Sequence, residues 1–179
     1  MVKSKWIFLL LAVLLGSLSS CIKYTNDAAV VPSSISPREK AIAERLFILI
    51  NNDRKSQGLK RVDGHSGVIK LAQDHSNSLA RKPSGLGNHA GSINRARYSA
   101  RRYGIENQDE LIYAVTSGES DPAAATLRAW KLSPSYRRKL DQAWSVVGIG
   151  VKYSRDGTAY VTMCMGAEPK NIDISKRNY

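Results

Sequence analysis

Cysteine is nearly absent: Cys21 and Cys164 are the two in 179 residues. A disulfide framework is thereby excluded, and core packing must supply the stability. Acid is scarce as well, with 15 Asp and Glu against 27 Lys and Arg, for a formal charge of +12. Also missing are a Gly-x-Ser-x-Gly nucleophile elbow and a glycine-rich loop that cradles phosphate, so neither chemistry is encoded in its usual form. There is no internal repeat and no long low-complexity segment. The one sustained apolar run, Trp6 to Leu15, is too short to span a bilayer comfortably as a mature helix.

What is there starts with that run. Lys3 and Lys5 give it a positive leading region, which is the pattern of an export signal. It leads to Leu18-Ser19-Ser20-Cys21, and these four residues resemble the lipobox of bacterial lipoproteins. The resemblance implies cleavage before Cys21 and acyl chains on its thiol and new amino group; the alternative is an ordinary signal or anchor with a chance cysteine. At about 0.8 kcal/mol per buried methylene, two or three such chains hold a protein firmly on a membrane. Ile22, rather than aspartate, follows the cysteine, and by the lipoprotein sorting pattern this implies an outer-membrane or cell-surface address. Losing Lys3 and Lys5 lowers the charge from +12 to +10. For an exported chain that excess points to lipid phosphates, cell-wall polymers or host polyanions, or to solubility alone, and the compartment disfavours nucleic acid.

The expected organisation is a signal over residues 1–20, a lipidated end and tether over 21–35, one domain over 36–166, and a loose polar tail over 167–179. Fully extended, the tether reaches on the order of 45 Å. Ser36-Pro37-Arg38-Glu39 reads as a capping box opening a helix that runs to about Gln57, with Ile42, Leu46, Phe47 and Ile50 on one side and Gly58 as the stop. A second helix spans roughly Gly67 to Arg81, with His75 on its apolar stripe. A third, basic helix covers about Ser92 to Tyr103, and a fourth starts at Asp121-Pro122. Glu110–Thr116, Ser145–Val151 and Ala159–Met165 read as strands, the last two joined through an Asp156-Gly157 turn. Four helices around a three-stranded, largely antiparallel sheet make an α+β layered domain.

Several short signatures follow one another: Ile50-Asn51-Asn52-Asp53-Arg54, Ala72-Gln73-Asp74-His75-Ser76, Asn88-His89-Ala90-Gly91, Tyr103-Gly104-Ile105-Glu106-Asn107, Trp130-Lys131-Leu132-Ser133-Pro134-Ser135-Tyr136-Arg137 and Val147-Gly148-Ile149-Gly150-Val151. Together they resemble the bacterial branch of the CAP superfamily, the SCP or pathogenesis-related-1 domain, over about Glu39 to Gly166. The resemblance implies an α-β-α sandwich with a cavity lined by two histidines and two acids that can hold a divalent cation. His89 matches the first histidine and Glu106 the first acid. Tyr136 stands where the second histidine belongs, and the second acid would fall near Ser133. Two ligands remain of four, and a neutral phenol is a poor third, so tight zinc binding is not expected. The expectation is no cofactor, with at most a weak divalent cation at His89 and Glu106.

Cavity candidates are therefore His89, Glu106, Tyr136, Ser133 and His75. His89 and Glu106 form either a residual polar pocket or a hydrogen-bonded pair that orients a loop. His65 is expected to face solvent, and Cys164 to be packed in a strand rather than to act as a nucleophile. The densest basic stretch contributes Arg95, Arg97, Arg101 and Arg102, joined by Arg137, Arg138 and Lys139. Arginines beside tyrosines suit phosphate or sulfate groups, though a merely solvated helix face reads the same way. The favoured function is a non-catalytic binding module on the envelope, taking lipid, an anionic polymer or glycan, or a host protein. The rival is a cation-assisted hydrolase with Glu106 as base, His89 as ligand or acid and Tyr136 positioning substrate.

Overall fold

A computed structural model describes residues 35–83 and 89–169. The signal, Cys21, the tether up to residue 34 and residues 170–179 lie outside the described residues. Helix α1 (Pro37–Ser56) starts as the capping box requires: the Glu39 amide donates to Ser36 Oγ at 3.3 Å, and the Ser36 amide donates to Glu39 Oε2 at 2.8 Å. Four donors at a helix start lack intrahelical partners, and this exchange satisfies one of them while tying the carboxylate back to the cap residue. The helix ends at Gln57, and Gly58 follows with φ of +71°.

The remaining elements are β1 (Asp63–Gly64), α2 (Ser66–Arg81), α3 (Ser92–Tyr103), β2 (Glu106–Val115), α4 (Pro122–Leu132), α5 (Pro134–Leu140), β3 (Val146–Tyr153) and β4 (Ala159–Ala167). The sheet runs β1-β3-β4-β2, with β1 parallel to β3 and the other pairs antiparallel. The fold is α+β, with five helices and a four-stranded mixed sheet. The extra strand is two residues long, too short to leave a periodic signal. The extra helix, α5, is seven residues long and repeats the Ser-Pro start of α1, with Ser133 as its cap.

Alternation along the strands divides the sheet into two faces. Leu111 and Val115 of β2, Val147, Ile149 and Val151 of β3, and Val161, Met163 and Met165 of β4 join Leu46, Phe47 and Trp130 in the larger core. Each such side chain contributes about 1.5–3 kcal/mol when fully buried. Trp130 is wholly buried and donates its indole N–H to the Ile112 carbonyl at 3.3 Å, so its one polar atom is satisfied.

The opposite face is built for close approach. A Cβ on Gly148 would lie 2.2 Å from backbone atoms of Val68 and Ile69, and one on Gly150 would lie 2.4 Å from backbone of Ala72 and Gln73. Real Cβ atoms do not approach that closely, so these two glycines let α2 lie directly on β3. Gln73 then serves the strand as a neighbour would: its Nε2 donates to the Val151 carbonyl at 2.8 Å and its Oε1 accepts from the Val151 amide at 3.0 Å. The Val147-Gly148-Ile149-Gly150-Val151 signature thus records a packing requirement. Glu110 and Cys164, paired across β2 and β4, lie on this same face, at the end that α3 covers.

Candidate functional site

Helix α3 is two-faced. Ser92, Arg95, Ala96, Ser99 and Tyr103 recur at intervals of three and four and are buried or half-buried, whereas Arg97, Tyr98, Arg101 and Arg102 are exposed. The inner face is small or polar. Ser99 is its one fully buried residue, so apolar burial does little to hold this helix in place. An ion pair does more. Arg95 Nε donates to Glu110 Oε2 at 2.8 Å and Arg95 Nη2 to Glu110 Oε1 at 2.8 Å, a two-point fork across a carboxylate that is 5% exposed. The third nitrogen, Nη1, donates to the Ala90 carbonyl at 2.9 Å and ties the preceding loop to the same cation.

Three further groups converge on Glu110. His89 Nδ1 lies 3.1 Å from Oε1, His75 Nε2 lies 3.7 Å from Oε1, and Cys164 Sγ lies 3.8 Å from Oε2. With Nδ1 donating to the carboxylate, Nε2 of His89 is left to accept, and the Tyr136 hydroxyl stands 3.4 Å from it. The two rings meet edge to face at 6.5 Å between centroids. Ser133 caps α5 and accepts from the Tyr136 amide at 3.5 Å, which fixes where that tyrosine leaves its helix. Beside these groups lies a pocket of about 310 Å³, with His89, Arg95, Glu110, Lys139 and Cys164 in its lining. Lys139 is paired with Asp109 at 2.6 Å.

The structure thus brings together His89, Tyr136 and His75 of the expected cavity residues, with Ser133 in support. It does not bring Glu106. The acid at His89 is Glu110, and the correction has a simple cause. Between Glu106 and Asp109 the register of β2 on β4 slips by one residue, around Asn107 with φ of +48°. Glu106 pairs with Ala167 and Glu110 with Cys164, so the bulge turns the two acids to opposite faces of the sheet. Glu106 is exposed there. Even spacing along an unbroken strand would have placed both on one side.

Arg95 is a second correction: it belongs to the pocket rather than to the basic face. Its signal was the spacing of Ser92, Arg95, Ala96 and Ser99, which marks one side of the helix. Arg97, Arg101 and Arg102 do form an exposed face, around a surface recess of about 440 Å³ that also includes Asn94 and Tyr98. Among the described residues none of the three has a carboxylate partner, while Arg102 lies 5.8 Å from the Tyr103 ring centre. His65 is likewise not a free loop residue. It is half-buried, caps α2 by accepting from the Val68 amide at 3.3 Å, and meets Tyr103 edge to face. Cys164 is buried; burial pushes its thiol pKa up, and the Glu110 carboxylate pushes in the same direction. A thiol so disposed is not a nucleophile.

The donor set does not fit a tightly held divalent cation. Zinc takes three or four protein ligands, and here both oxygens of the acid are engaged by a guanidinium. Among the described residues no group of three His, Cys, Asp or Glu is arranged to hold a metal ion. Nor, among them, is any helix long and apolar enough to cross a membrane.

A sequence profile of the CAP family, the cysteine-rich secretory protein family, matches residues 47–165. No curated protein matches the chain by sequence. Among solved structures, an outer surface protein from Borrelia burgdorferi superposes with a TM-score of 0.60 at 17% identity, over 72% of this chain and 94% of that one. An extracellular protein containing an SCP domain from Bacillus anthracis gives 0.56 at 20% identity, over 75% of this chain and 44% of that one. A cysteine-rich secretory protein from Staphylococcus aureus gives 0.54 at 15%, over 75% and 40%. The chain therefore spans less than half the length of the latter two, and at these identities the likeness is one of fold.

Proposed function

Because the chain belongs to the cysteine-rich secretory protein (CAP) family, we propose that it is a non-catalytic binding module, lipid-anchored through Cys21 on the outer face of a bacterial envelope and taking an anionic ligand. The observation that carries this reading is the division of α3. Its inner face closes the pocket over Glu110, while its outer face presents Arg97, Arg101 and Arg102 without carboxylate partners among the described residues. Guanidinium forks beside Tyr98 match phosphate and sulfate groups in geometry as well as charge. Within the pocket, the acid that hydrolysis would need as a base is held in an ion pair, so the chemistry offered is recognition.

The test is co-sedimentation of the chain carrying Cys21→Ser, which cannot be acylated, with phosphatidylcholine vesicles, with and without phosphatidylglycerol, together with retention on immobilised heparin. Changing Arg97, Arg101 and Arg102 to glutamate is expected to weaken at least one of these interactions by about tenfold or more at moderate salt. Unchanged retention on both would sink the reading.

One observation favours the hydrolase alternative: Tyr136, His89 and Glu110 stand in a hydroxyl–imidazole–carboxylate series at 3.4 and 3.1 Å. Arg95 holds both oxygens of the carboxylate at the end of that series, so the imidazole shares its acid with a guanidinium. Cleavage of envelope polymers or peptides by the wild type that disappears in His89→Ala would reverse the preference.

A further inference from the structure

The pocket raises a question of charge. The family resemblance calls for a divalent cation among two histidines and two acids, whereas here one buried acid, Glu110, stands beside His89, with His75 near it, and the donor set does not fit such an ion. Burying a lone carboxylate is costly, so something must balance Glu110. The geometry points to Arg95: we propose that its guanidinium is the resident cation of this pocket, filling the role of a bound metal ion and excluding one.

Three observations meet here. The fork covers both carboxylate oxygens at 2.8 Å, which occupies the positions that a metal ion would need. The guanidinium is itself mostly buried, at 18% side-chain exposure, so it is built into the site rather than resting at its mouth. Its Nη1 holds the Ala90 carbonyl at 2.9 Å, which fixes the loop that carries His89. A metal ion would link histidine and acid directly; here the cation arrives on a helix and links loop, helix and strand at once.

The arrangement also explains how a helix with one buried residue stays docked. Helix α3 is attached to the sheet through Arg95, with Tyr103 packed at its far end beside Gly67 and His65. Admitting a metal would require Arg95 to leave Glu110, and helix and metal therefore compete for one carboxylate. This holds whether or not the outer arginines take an anionic ligand, so the two readings can fail separately.

The test uses Co²⁺ as the probe, followed by its visible absorption and by calorimetry on the full chain. The wild type is expected to take up no stoichiometric Co²⁺. In Arg95→Ala the Glu110 carboxylate is released beside His89, and Co²⁺ should bind at least about tenfold more tightly than to the wild type, competed by added guanidinium and lost in Arg95→Ala/Glu110→Gln. If Arg95→Ala does not fold alone, either Co²⁺ or guanidinium should restore its thermal transition, because either replaces the missing charge. Two results would overturn the proposal: a 1:1 Co²⁺ site in the wild type that Glu110→Gln abolishes, or an Arg95→Ala chain, folded or not, that responds to neither cation.

Discussion

Two carboxylates lie equally deep in this domain, Glu39 at 3% exposure and Glu110 at 5%, and they do different work. Glu39 is met mainly by backbone: the amides of Ser36 and Tyr153 donate to it at 2.8 and 3.1 Å, with Lys152 at 3.3 Å. Glu110 is met by side chains, those of Arg95, His89, His75 and Cys164. Backbone donors belong to the fold itself, so the first acid joins the start of α1 to the end of β3. Side-chain donors can rotate, exchange or be displaced, and the second acid faces a pocket. Depth of burial does not separate a structural acid from a site acid; the identity of the donors does.

The sharpest way to break this contrast is at Glu110. Glu110→Ala leaves Arg95 mostly buried and unpaired, and the expected loss is about 3 kcal/mol in urea unfolding. Amide exchange should rise along α3 well before it rises along α2, because α2 is held by close backbone packing and α3 by the ion pair. Uniform exchange along both helices would mean that the two are held alike.

A smaller effect is expected at Glu39. Glu39→Ala removes half of the capping box and a link to β3, for about 1–2 kcal/mol, and should leave retention on heparin unchanged. The pH dependence carries the same contrast. Burial raises the Glu39 pKa, but bonds from the Ser36 and Tyr153 backbone and the charge of Lys152 outweigh it, and the carboxyl lies below its ordinary value. The folded state therefore holds the proton less readily than the unfolded one. The resulting stability is complete above the ordinary carboxyl range and is lost as pH falls through it toward the lowered value. Wild type should lose stability more steeply than Glu39→Gln between about pH 5 and 3. Parallel acid branches would show that Glu39 does not contribute.

The smallest signal is chemical. Cys164 should not react with an aromatic disulfide reagent in the native protein at neutral pH, given its burial and the direction of its shift. Rapid labelling with retained circular dichroism would show that the α3 side opens readily, and would weaken the assignment of Arg95 as its latch.

Much of this fold could be read from local chemistry. The capping box at Ser36, the bounds of α3, the Asp-Pro start of α4 and the buried strand around Cys164 depend on near neighbours in the chain, and the structure agrees on each. Where reading failed, one residue of offset mattered. The bulge at Asn107 exchanges Glu106 for Glu110, and no periodic pattern announces an insertion of a single residue. Arg95 differs from its neighbours for a related reason: a cluster of arginines reads as one surface, but the small residues Ser92, Ala96 and Ser99 share a side of the helix with Arg95 and leave Arg97, Arg101 and Arg102 on the other. His65 was legible in principle as a cap, since it directly precedes the start of α2.

By itself the order of residues determined the longer helices and strands and the family, because each rests on contacts between neighbours or on residue identity. Tertiary structure alone decided which acid meets His89, and that an arginine from a separate helix balances it. Glu110, His89 and Arg95 are brought together by strand register and helix docking, and interactions across such distances leave no mark on local spacing.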